Sequence, residues 1–306
     1  MTKRLLYTVI LLLALLLVSC GGNTPATEAP AVEPPPTSYE EAPPPAPTEE
    51  PASEEPAAIP ESTFDPQPPD GQRVEFQSTD GTALVGYYYP AAIPDAPVVV
   101  LMHWAGGDQT DWQNNGMIAW LQNRGANGGK DQSLSLQSAI YPVMPEGVSF
   151  AVFTFDFRGF GESSGSFDPT GGMMDAEAAY AIVKTLSSVD PTRIAGIGSS
   201  IGADAVVDAC VEGCLGAFSL SPGGYLGIPY PVAVKMLDDV EKPVTCVASE
   251  DDHTSVAACD SAMGNYYQSM IYPGSAHGDE LLQAPNNPDG IGELIFDWLA
   301  LLFGIA

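Results

Sequence analysis

Apolar and polar positions divide the chain into three regimes. Residues 5–18 are nearly all apolar, fourteen in a row. Residues 22–70 lack any apolar periodicity and hold 15 of the 29 prolines. From residue 71 onward, short apolar runs alternate with amphipathic stretches. Residues 73–78 and 83–89, on either side of Asp80-Gly81, predict two strands around a turn. Val98-Val99-Val100-Leu101-Met102 is a continuous apolar run within 97–103, which predicts a strand buried on both faces of a parallel sheet. Further strands are expected at 148–155, 193–198, 215–220, 244–248 and 267–272, and helices at 111–123, 175–186, 201–211 and 291–303. Strands alternating with helices predict an α/β domain, with a mostly parallel central sheet and helices on both faces. The polar, glycine-rich stretch 125–147 is longer than most connections, and reads as an insertion near a site or as a disordered excursion.

The first regime changes the picture of where the chain works. Lys3 and Arg4 precede the apolar run, which falls short of the roughly 20 residues that span a bilayer. This is the pattern of a secretory signal. It closes on Leu17-Val18-Ser19-Cys20, which resembles a bacterial lipobox. The resemblance implies lipidation of Cys20, cleavage just before it so that Cys20 becomes the mature N-terminus, and a protein anchored to a membrane without spanning it. It places the protein outside the cytoplasm, in the cell envelope, on the outer membrane where there is one. Residues 21–70 are proline- and glutamate-rich and read as a flexible stalk. Residues 71–306 are then the folded domain.

Charge narrows the range of partners. The formal net charge is −29, and residues 71–306 carry 28 acidic against 8 basic residues. Such a surface repels nucleic acid. It fits a soluble exported domain, a salt-rich habitat or a cationic substrate.

The chemistry concentrates in Gly198-Ser199-Ser200-Ile201-Gly202, a match to G-x-S-x-G between an expected strand and an expected helix. A serine on so sharp a turn leaves no room for bulk two residues away on either side. The amide after it, at a helix N-terminus, faces the position of a developing oxyanion. Ser199 is a rival nucleophile, but its neighbours two positions away are Ile197 and Ile201, so the glycines are in register only for Ser200. On these residues, and on Asp156-Phe157-Arg158-Gly159-Phe160-Gly161-Glu162-Ser163, which is similar to a D-x-R-G-x-G-x-S loop, the chain resembles the α/β-hydrolase superfamily. The likeness extends over about 72–305. Its nearest branch is that of dienelactone hydrolases and bacterial carboxylesterases; Ser221-Pro222-Gly223 after a strand is also familiar from lipoprotein members.

The resemblance implies an order of nucleophile, acid, base. Of the three histidines, at 103, 253 and 277, His277 lies in the loop after the last strand, where the family keeps its base. The family pattern G-x-x-D puts the acid at Asp252, with Ser249 in place of the glycine and Asp251 as the alternative. His253 reads as a rim residue and His103 as a structural one. The loop His103-Trp104-Ala105-Gly106-Gly107 is similar to H-G-x-G-G, with Trp104 where glycine is usual. It implies an oxyanion hole from the amides of Ile201 and Ala105, or of Trp104 in place of Ala105. Between residues 221 and 242 there is room for a helix but for little or no cap.

No paired-ligand spacing for a metal and no dinucleotide fingerprint appears, so neither metal nor cofactor is expected. After Cys20 the cysteines are Cys210, Cys214, Cys246 and Cys259. An even number in an exported chain points to disulfides; Cys210–Cys214 and Cys246–Cys259 are the favoured pairs among three pairings, with free thiols as the alternative. The expected activity is hydrolysis of small carboxylic esters through Ser200, His277 and Asp252. A serine peptidase of the prolyl-oligopeptidase type and a noncatalytic binding lipoprotein on the same scaffold are the alternatives.

Overall fold

The computed structural model describes residues 70–124 and 140–305. The signal, the Cys20 motif, the stalk up to residue 69 and residues 125–139 of the expected insertion lie outside the described residues. Among the described residues, no helix is long and apolar enough to cross a membrane.

Eight strands form one sheet in the order β1-β2-β4-β3-β5-β6-β7-β8. β1 (Gln72–Gln77) and β2 (Ala83–Tyr89) form the expected hairpin, and β2 also runs antiparallel to β4 (Ala151–Phe155). From β4 onward every pairing is parallel, through β3 (Ala96–Met102), β5 (Val189–Ser199), β6 (Ala217–Leu220), β7 (Val244–Ser249) and β8 (Tyr267–Tyr272). The unbroken apolar run of β3 serves two cores at once. Val98, Val100 and Met102 pack on one face of the sheet, while Val99 and Leu101 pack on the other, as the two-residue period of a strand requires.

Helices cover both faces. α1 (Asp111–Asn114), α2 (Met117–Gln122) and α8 (Ile291–Phe303) contribute Trp112, Met117, Leu121, Ile295 and Trp298 to one core. α3 (Pro169–Val183), α4 (Ile201–Asp208), α5 (Cys210–Gly213), α6 (Tyr230–Asp238) and α7 (His253–Ser261) pack on the other. Disulfides join Cys210 to Cys214 and Cys246 to Cys259. The second ties β7 to α7.

Several boundaries differ from the sequence expectation, each for a local reason. The stretch 111–123 is two helices, because Gly116 adopts a left-handed φ of 79° between them. α3 begins at Pro169, with the Asp168 carboxylate accepting from the Gly171 amide at 2.9 Å. Gly171 and Gly172 argue against a helix by propensity, yet a Cβ on Gly171 would meet the Arg158 guanidinium at 2.3 Å. Packing selects them. β5 starts four residues before 193, and α4 stops at Asp208 before the separate turn α5. α7 was not expected, because His253–Ser261 has no apolar stripe to signal a helix.

Candidate active site

The strand ends β5, β6 and β7 and the loop after β8 converge at the carboxyl edge of the sheet. Ser200 sits between β5 and α4 with φ 54° and ψ −112°, a strained conformation for a residue with a Cβ. Its neighbours make that turn feasible. A Cβ on Gly198 would lie 2.0 Å from the Gly202 carbonyl oxygen, and one on Gly202 would lie 2.2 Å from the Met102 carbonyl oxygen. The Ser200 amide donates to Leu220 O at 2.9 Å, fixing the turn to β6.

His277 Nε2 stands 2.8 Å from Ser200 Oγ, and its Nδ1 stands 2.7 Å from Asp252 Oδ2. A carboxylate only accepts, so Nδ1 carries the proton and Nε2 is left to accept from Ser200. Asp252 is also the N-cap of α7, its Oδ1 accepting from the Ser255 amide at 3.4 Å. The two oxygens thus have separate partners, which locks the carboxylate rotamer. Burial pushes the Asp252 carboxyl up, but hydrogen bonds from His277, Ser255 and Ser221 outweigh it and hold the group below its usual range. Asp251 and His253 are exposed, and neither takes part in this chain of contacts. Ser199 is fully buried, accepts from the Asp279 amide at 2.9 Å and points away from His277 chemistry.

The loop after β3 frames the opposite side. Trp104 stacks at an angle beside His277, with ring centroids 6.4 Å apart, and its indole N–H donates to Asp111 Oδ2 at 3.1 Å. Gly106 and Gly107 lie beneath that indole, where Cβ atoms would come within 2.5 and 2.7 Å of it. The amides of Trp104 and Ala105 donate to no atom among the described residues. Burial, reinforced by the charge of Asp111, raises the Asp279 carboxyl to about 6, two residues beyond His277.

Two further motifs prove architectural. His103 is fully buried; its Nδ1 donates to Trp104 O at 2.7 Å and its Nε2 accepts from the Phe157 amide at 3.0 Å. Burial lowers its pKa, so it is a neutral strut between two loops. In the 156–163 loop, the Asp156 carboxylate accepts from the amides of Gln109 and Glu162, and Arg158 forms a two-point pair with buried Asp175. Among the described residues, no three His, Cys, Asp or Glu side chains gather as a metal site.

No protein-family model matches the chain. The uncharacterized protein YfhR of Salmonella typhi is 28% identical over 170 residues, covering 54% of this chain and 49% of YfhR. The chain thus spans about half the length of the first curated relatives it matches. The uncharacterized protein Rv2307c of Mycobacterium tuberculosis is 28% identical over 255 residues, covering 76% of this chain and 82% of Rv2307c. Among solved structures, the Pyrococcus furiosus esterase Pf2001 superposes with a TM-score of 0.55 at 15% identity, covering 76% of this chain and 93% of that one. The α/β hydrolase GrgF from Penicillium sp. sh18 superposes with a TM-score of 0.52 at 14% identity, covering 77% and 100%. Sheet order, crossover pattern and these likenesses together show that the described residues adopt the α/β-hydrolase fold.

Proposed function

We propose that the chain is a serine hydrolase of carboxylic esters. The observation that carries this reading is the relay from Ser200 Oγ through His277 to Asp252, with both hydrogen bonds under 3 Å. A serine hydroxyl is a weak nucleophile until a positioned base accepts its proton. In this reading Ser200 Oγ attacks the ester carbonyl carbon while its proton passes to His277 Nε2. Asp252 holds the ring and balances the imidazolium. The amides of Ile201 and of Ala105 or Trp104 receive the oxyanion. Collapse expels the alcohol, which takes the proton from Nε2. Water then repeats the sequence on the acyl-enzyme, releasing the acid and restoring Ser200.

The connection from β6 to β7 holds one nine-residue helix, α6, and no larger insertion. A site without a cap at this connection suits short or exposed esters, with Trp104 as a wall. That the neighbour Pf2001 is an esterase agrees with this reading. We place the domain outside the cytoplasm, on a stalk anchored through lipidated Cys20. The buried disulfides are in keeping with an oxidising compartment.

The test is release of nitrophenol from acyl esters of increasing length, acetyl to lauroyl, by the full chain and its Ser200→Ala variant. Turnover is expected for the parent and a loss of at least about a thousand-fold in the variant. No turnover, together with no fluorophosphonate labelling of Ser200, would overturn the reading in favour of a noncatalytic binding protein.

A further inference from the structure

Three serines that surround the site have partners of one kind. Ser249, at the end of β7, donates from Oγ to the carbonyl of Ala276 at 2.5 Å. Ser221, just past β6, accepts the Gly278 amide on Oγ at 2.9 Å. Ser199, at the end of β5, accepts the Asp279 amide on Oγ at 2.9 Å. The three hydroxyls therefore hold the backbone immediately before and after His277, each from a different strand. All three residues are fully buried. The loop adds its own closure, as the His277 amide donates to the Glu280 carboxylate at 2.9 Å.

Ser221 departs from ordinary backbone geometry to do this. Its φ is 58°, a left-handed value that favours glycine and strains a residue with a Cβ. Its own amide is fixed to Val247 O of β7 at 2.8 Å, so the hydroxyl leaves a rigid support. A glycine would suit the backbone and lose the hydroxyl.

The geometry points to Ser199, Ser221 and Ser249 as positioning residues that fix the His277 loop, with Ser221 central because its hydroxyl holds the Gly278 amide, next to His277, from a backbone tied to β7. This deepens the hydrolase reading and rests on it. The clamp sets the Nε2 to Oγ distance from outside the relay. A base displaced by an ångström loses on the order of a hundred-fold in rate, so the clamp acts on the chemical step and leaves substrate binding alone.

The decisive variant is Ser221→Gly in the full chain, because it relieves the left-handed strain and keeps the fold accessible. Ser221→Ala and Ser249→Ala accompany it. Fluorophosphonate labelling gives two readouts, the fraction of Ser200 that reacts and the rate constant per reacting site. The far-downfield proton resonance of the imidazole N–H held by Asp252 gives a third that needs no substrate. For Ser221→Gly, full labelling is expected with a rate per site lowered roughly 10- to 100-fold. Ester turnover should fall through kcat with KM unchanged, and the downfield resonance should broaden or shift. A parental rate per site and an unmoved resonance in Ser221→Gly would overturn the clamp, as would a smaller labelled fraction reacting at the parental rate. Failure of the hydrolase reading looks different, since Ser200 in the parent would then not label at all while the resonance still reports on the clamp.

Discussion

Asp208 is a buried carboxyl without an evident role in the site. It lies on α4, is 5% exposed, and neither oxygen has a hydrogen-bond partner among the described residues. Burial, and then the charge of Asp204 one turn away, raises its pKa to about 8. The unfolded carboxyl titrates near 4. An acid raised in the folded state binds its proton more tightly there, so stability is greatest below pH 4 and declines as pH rises from about 4 to 8. Asp208→Asn removes that titration. The variant should match the parent near pH 4 and exceed it by several kcal/mol at pH 8 in urea unfolding, up to the roughly 5 kcal/mol that four pKa units represent. A constant difference across that pH range would show that Asp208 does not carry the effect. Single residues were legible to the degree that their partners are close in sequence. Ser200 stood out because Gly198 and Gly202 flank it within the same pentapeptide. The family pattern favoured Asp252 over Asp251, and the fold sets Asp252 as the cap of α7 against His277 while leaving Asp251 exposed. The role of Ser221 was hidden, because its partner amide at Gly278 lies 57 residues away.

At the scale of elements, α3 and the 156–163 loop stand or fall together. Arg158 is 5% exposed, donates from Nε and Nη2 to Asp175 on α3, from Nη1 to Asp80 at 2.7 Å and from Nη2 to Ser78 at 3.1 Å. One guanidinium thus links the hairpin turn, the loop beside the site and a helix. Arg158→Met keeps much of the stem packing and strands the Asp175 charge in the interior, which costs about 3–5 kcal/mol. The midpoint of urea unfolding should fall accordingly, and Asp175→Asn added to it should recover part of the loss. No recovery would mean that packing, not charge, dominates. The strands were read more surely than the helices. The run in β3 and the hairpin around Gly81 follow from local pattern alone. α7 and the first turn of α3 did not, because their sequences carry serine, threonine and glycine for reasons of packing and capping.

For the whole molecule the dominant long-range term is charge. Residues 71–306 carry 28 acidic against 8 basic residues, and like charges held on a compact surface oppose folding. Raising ionic strength from about 0.1 M to 1 M shortens the screening length from about 10 Å to 3 Å. The thermal midpoint in sodium chloride is therefore expected to rise by several degrees over that range, and most steeply at its low end. A midpoint that stays level would mean that the acids are spread too widely to repel at folded distances. Fold class was legible at this scale because strand and helix patterns alternate along 71–306, whereas the strand order was not, because crossover handedness fixes the face a helix covers and not which strand comes next in the sheet.

The Cys246–Cys259 bond closes a ring of chain that contains Asp252. Folding alone does not complete that ring; an oxidation does. A copy made and kept among cellular reductants would hold the acid of the relay only by its helix cap and its histidine. Under the proposed function, the bond would tighten the hold on Asp252 only after the chain has left the reducing compartment.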